Sequence, residues 1–87
     1  MNQLPDKPVL NRRFRMQWEE AQQAHVLLYP EGMVRLNQSA AEILKRCNGV
    51  ATVDEIIVDL QAAFGAEDLR GDVLDLLAHA QEKDWIR

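Results

Sequence analysis

Eighty-seven residues with a net charge of −4 make one modest domain, and a chain of that size buries only about 60–65% of its unfolded surface. A hydrophobic content of 47% excludes wholesale disorder. The short apolar runs exclude a transmembrane helix, and a single cysteine, Cys47, excludes an internal disulfide or a multi-thiolate metal site. The first residues lack the basic-then-apolar pattern of a signal peptide, and with the lone cysteine this predicts a cytoplasmic protein.

Residues 1–11 hold Pro5 and Pro8 and show no period, which predicts an extended N-terminal arm, ordered only if docked, ahead of a domain over 12–87. Phe14, Met16 and Trp18 then alternate with Arg13, Arg15 and Gln17, a period of two that predicts a strand with one apolar and one cationic face. After a polar loop, Val26 and Leu28 alternate with His25, Leu27 and Tyr29. This second strand is apolar on both sides and is expected at the centre of the sheet.

Pro30 suits the first turn position and Gly32 can take φ > 0, so the spacing predicts a three-residue loop closed by a G1 bulge. The third strand, Met33 to Leu36, places Val34 and Leu36 on one face and Met33 and Arg35 on the other. The simplest topology is an antiparallel meander with strands one and three at its edges.

From residue 38 the period becomes helical. Ser39 and Glu42 match a capping box, with Asn37 as a competing cap, and Gly49 supplies a stop. Thr52 and Glu55 form a second capping box before the stripe Val53, Ile56, Ile57, Leu60 and Phe64, which ends at Gly65. A third helix starts near Asp68 or Leu69 and carries Val73, Leu76, Leu77 and Ala80. Trp85 and Ile86 follow it and are expected to fold back on the core. The fold class is α+β: a three-stranded antiparallel sheet followed by a three-helix bundle.

The chemistry-bearing residues do not assemble into a catalytic motif. Cys47 falls on an apolar stripe, and His79 stands four residues from Asp75, a surface-pair spacing. The two histidines lie on different elements, and the four glycines are separate punctuation marks rather than a phosphate loop. No catalytic residue, cofactor or metal site is expected. Ser39 in Gln38-Ser39-Ala40 does not match a carrier-protein attachment triplet.

Three strands with three helices also suggest a winged-helix nucleic-acid-binding protein. Its recognition helix should be basic, whereas Asp72, Asp75, Glu82 and Asp84 face only Lys83 and Arg70, so Arg12, Arg13 and Arg15 are the sole support for that alternative. What remains is the third strand as a sheet edge without proline and with one charge. Such an edge is a hazard unless it is covered or used to add a peptide strand.

The segment Tyr29-Pro30-Glu31-Gly32-Met33-Val34, with Leu36-Asn37-x-Ser39-Ala40-x-Glu42-Ile43-Leu44 after it, resembles the PqqD family of pyrroloquinoline quinone biosynthesis. Phe14-Arg15-x-Gln17-Trp18-Glu19, Asn48-Gly49, Val53-x-x-Ile56-Ile57 and Asp84-Trp85-Ile86 fit the same pattern, so the resemblance spans roughly Val9 to Arg87. It implies a winged-helix-like fold and a non-catalytic peptide chaperone, a recognition element for ribosomally made, modified peptides. It implies that the precursor peptide PqqA docks as a strand on the third β-strand, in a groove lined by the third helix, and is presented to PqqE, a radical S-adenosylmethionine (radical SAM) enzyme.

Carried over by position, the peptide-binding residues would be Met33, Val34, Arg35 and Leu36 with Leu69, Val73, Leu76 and Leu77. The helix residues fit a plain core stripe equally well. The basic arm and acidic third helix further suggest a monomer or a weak dimer by arm exchange, with no nucleic-acid or membrane partner.

Overall fold

The computed structural model describes residues 3–87; Met1 and Asn2 of the expected arm lie outside the described residues. Strands β1 (Arg15–Glu19), β2 (Ala24–Tyr29) and β3 (Gly32–Arg35) precede helices α1 (Gln38–Lys45), α2 (Val53–Phe64) and α3 (Arg70–Glu82). The sheet order is β1-β2-β3, antiparallel throughout, with Met16 opposite Leu27 and Leu27 opposite Val34. The apolar character of β2 on both faces has its reason here: Val26 and Leu27 are both fully buried.

The inner face presents Met16, Leu27, Val34 and Leu36 to the helices. There Leu27 and Leu36 join Ile43 and Leu44 of α1, Ile56, Ile57 and Leu60 of α2, and Val73 and Leu77 of α3 in one core. Trp85 and Ile86 fold back into that core as expected. Trp18 departs from the apolar face read for β1, since it lies 48% exposed with its indole N–H donating to Glu20 at 2.8 Å and its ring edge-on to His25.

Local chemistry corrects two details. Tyr29 pairs directly with Gly32, so the β2–β3 loop is the two residues Pro30 and Glu31, not a three-residue loop with a G1 bulge. Gly32 has φ 158°, nearly extended, where a G1 bulge needs the left-handed region. Asn37, not Ser39, caps α1: its Oδ1 accepts the Ala40 amide at 2.7 Å. Glu42 is thereby free to pair with Lys45 and Arg46, both at 3.0 Å, and their hydrogen bonds hold its carboxyl below the usual range. Arg46 also donates to Asp59, tying α1 to α2. The second capping box forms as read, Thr52 Oγ1 accepting from Glu55 N–H at 3.1 Å and Glu55 Oε1 from Thr52 N–H at 2.8 Å, and Gly65 closes α2 at φ 63°.

The arm is docked. Pro8 is fully buried, Val9 exchanges backbone bonds with Arg87 at 3.0 and 2.9 Å, and the Leu10 and Asn11 amides reach Cys47 and Trp85 at 3.2 and 2.7 Å. These bonds place residues 8–11 between the loop after α1 and the C-terminal residues. Gly49 turns the chain beside the arm at φ 80°, a conformation strained for any residue with a side chain.

Candidate functional site

The site is built from the free rim of β3 outward. Strand order leaves one side of β3 unpaired, and the ladder sets which groups that side presents. Leu36 N–H donates to the His25 carbonyl at 2.9 Å. Backbone groups of an antiparallel strand alternate in direction, so Val34, like Leu36, turns its N–H and C=O toward β2. Met33 and Arg35 turn theirs outward. Two N–H donors and two C=O acceptors therefore line the rim with the spacing an added strand requires.

Beside this rim lies a groove of about 620 Å³ that runs from the sheet to the end of α3. Phe14, Tyr29 and Val34 line its sheet side, and His79, Lys83 and Trp85 its helix side. Phe14 and Tyr29 pack with ring centroids 5.4 Å apart, and His79 meets Trp85 edge-on at 5.2 Å. His79 thus turns to the indole, not to Asp75 as the helix spacing suggested. Arg13 pairs with Glu31 at 3.5 Å at the turn end, and Asp84 lies at the helix end.

The eight sequence-derived peptide-binding residues divide. Val34 lines the groove, Arg35 borders it from the rim with its side chain directed by the pleat to the other face, and Met33 stands on the rim 44% exposed. Leu76 is half-buried and shares a helix face with His79 and Lys83, at i, i+3 and i+7. Leu36, Val73 and Leu77 are buried in the core and none of them lines this groove; for Val73 and Leu77 the burial fits the core-stripe reading. Leu69 lines a different cleft of about 280 Å³ between the helices, with Leu60 and Phe64.

The aromatic walls, Phe14, Tyr29 and Trp85, were not among the sequence-derived residues. The sequence signal for them was slight: each is an aromatic at the end of an element. Cys47 is not part of the groove. Its thiol donates to the Ile43 carbonyl at 3.5 Å, and burial pushes it up to about 11, which keeps it protonated and unreactive at neutral pH. Among the described residues, no three His, Cys, Asp or Glu side chains gather to hold a metal ion, and no helix is long and apolar enough to cross a membrane.

The family model for coenzyme PQQ synthesis protein D, PqqD, matches residues 24–86, the stretch that contains β2, β3 and all three helices. The chain belongs to the PqqD family. It is 51% identical over 80 residues to a PqqA binding protein of Acinetobacter baylyi, covering 91% of this chain and 81% of that one. With a PqqA binding protein of Stutzerimonas stutzeri the identity is 49% over 85 residues, 97% of this chain and 92% of the relative. The fold is similar to the solution structure of the PqqD truncation of Methylobacterium extorquens PqqCD, described as a functional, stand-alone recognition element for ribosomally synthesised, modified peptides. The TM-score is 0.77 at 32% identity, over 92% of this chain and 87% of the other. This PqqD-family chain thus shares the α+β order of that recognition element, three antiparallel strands followed by three helices.

Proposed function

We propose that this chain is a non-catalytic peptide chaperone of pyrroloquinoline quinone biosynthesis. It binds the precursor peptide PqqA as a fourth strand on β3, with alternate side chains in the groove toward α3, and presents it to the radical SAM enzyme PqqE in the cytoplasm. The observation that carries this reading is the unpaired rim of β3, with Met33 and Arg35 directing their backbone groups outward beside an aromatic-walled groove. The names of the relatives from Acinetobacter baylyi and Stutzerimonas stutzeri support PqqA as the occupant. The buried, protonated Cys47 and the lack of a metal-ligand group among the described residues support a binding role without chemistry of its own.

The working form in this proposal is monomeric, with residues 9 and 10 docked on their own chain through the Val9–Arg87 and Leu10–Cys47 bonds. Nucleic acid is the rival ligand, and the exposed acids Asp72, Asp75 and Glu82 on α3 weigh against it.

Titration of synthetic PqqA, beside a random DNA duplex at low salt, separates the two ligands. Saturable peptide binding with no duplex binding is expected; the reverse refutes the proposal. PqqE turnover of PqqA with and without this protein tests presentation, and modification equally fast without it removes that part. Turnover of the peptide by this protein alone removes the non-catalytic part.

A further inference from the structure

We propose that the outer face of the sheet selects an acidic side chain in the bound peptide, through Arg35, while the groove takes the bulky apolar residue next to it. This rests on strand addition at β3 and adds to it the chemical class of the segment that is read.

A strand added to β3 inherits the pleat. Its residue opposite Arg35 projects onto the same face as the Arg35 side chain, and the next residue projects to the opposite face, where Val34 lines the groove. The outer face is ordered in cross-strand rows: Arg15, Leu28 and Met33 in one, Gln17, Val26 and Arg35 in the next. The strands carry one acid, Glu19 at the far end of β1, whose carboxylate accepts the Ala21 amide at 3.2 Å. Among the described residues, neither Arg15 nor Arg35 joins an ion pair, whereas Arg13 is taken by Glu31.

Arg35 is therefore an unpaired cation on the strand that carries the rim, with Arg15 a second one across the sheet on β1 and the acid of that face, Glu19, at the far end of β1. Arg13 at the groove is already taken by Glu31, so the unpaired Arg35 beside the rim is the cation that an adjoining peptide carboxylate meets. On the other side of the added strand stand Phe14, Tyr29 and Trp85, which suit an aromatic or branched aliphatic side chain. The class read is an extended segment in which an Asp or Glu adjoins a large apolar residue.

A cross-strand charge pair corresponds to about a two- to fivefold change in affinity. Synthetic PqqA is titrated by calorimetry into the wild type and into Arg35→Lys, Arg35→Gln, Arg35→Glu and Arg12→Glu, with circular dichroism to verify folding. Arg12 is an exposed cation off the sheet and controls for net charge. Expected are near-normal binding by Arg35→Lys, a loss of about two- to fivefold with Arg35→Gln, about tenfold with Arg35→Glu, and a much smaller loss with Arg12→Glu.

Each acidic residue of the peptide is then changed in turn to Lys. One such peptide should bind the wild type poorly and recover with Arg35→Glu. Equal losses for Arg12→Glu and Arg35→Glu, unchanged binding by Arg35→Glu, or no recovering pair would each overturn the inference. A wild type that does not bind PqqA at all is a different result, and it removes the proposed function itself.

Discussion

Replacing Met33 by proline removes one outward-facing amide and leaves the β2–β3 ladder intact, because the bonds to β2 come from Val34 and Leu36. Met33→Ala is the companion that removes the side chain but keeps the donor. A net backbone hydrogen bond contributes about 0.5–1.5 kcal/mol, so Met33→Pro should bind PqqA about 2- to 13-fold more weakly than Met33→Ala. Its melting temperature should stay close to that of Met33→Ala.

Val34→Pro makes the opposite trade. It deletes a ladder bond and most of a side chain packed on the core, and costs about 2–4 kcal/mol of stability. That is a large share of the roughly 5–15 kcal/mol a whole domain holds. Calorimetric titration and thermal denaturation of all three variants supply both readouts. Equal affinities for Met33→Pro and Met33→Ala would show that the Met33 amide takes no part in binding. A Val34→Pro protein as stable as the wild type would refute the assignment of donors along the strand.

Amide exchange should follow the same alternation: saturating peptide slows Met33 and Arg35, while Val34 and Leu36 are already slow without it, as two-dimensional NMR would report. Asn37→Ala should cost about 1 kcal/mol in urea unfolding and Ser39→Ala close to nothing, since Asn37 alone accepts the Ala40 amide; equal costs would restore Ser39 as a cap. Cys47→Ala should leave peptide binding unchanged, and the wild-type thiol should resist alkylation at pH 7–8. Its folded value lies above the unfolded one, so its contribution to stability is present below about pH 9 and is lost as the pH rises toward 11, a loss the alanine variant should not show.

Much of the fold was legible because its signals were local. The alternation in β2 and β3, the Thr52–Glu55 box and the Gly65 stop each depend on residues a few positions apart, and each formed as read, while β1 kept its alternation except at the exposed Trp18. The loop at Pro30 was misread by one residue because its length depends on whether Tyr29 and Gly32 pair, which proline and glycine preferences alone do not decide. The cap is taken by Asn37, whose Oδ1 reaches the Ala40 amide, while Glu42 pairs with Lys45 and Arg46, and Arg46 in turn binds Asp59 of another helix, a link that no local pattern shows.

The site divides in the same way. The strand edge could be read from Met33 to Leu36, since its exposure follows from strand order. Which leucines of α3 meet the groove could not, because periodicity marks one apolar stripe and gives no sign of where the core ends. Val73 and Leu77 fell inside it, and Leu76 at its border. The aromatic walls join positions 14, 29 and 85, and no local pattern connects residues so far apart.

The pairing of Val9 with Arg87 sets when the groove can exist during synthesis. It closes nearly the full length of the chain, and the entropy of so long a loop is recovered only after the closer contacts have formed. Trp85, which makes one wall of the groove, is fixed by the Asn11 and Ala80 bonds in that same closure. A nascent chain that has completed its sheet and first two helices thus carries an exposed β3 rim without the Trp85 wall of the groove. On the proposed role, discrimination among peptides waits until residues 85–87 have docked against residues 9–11.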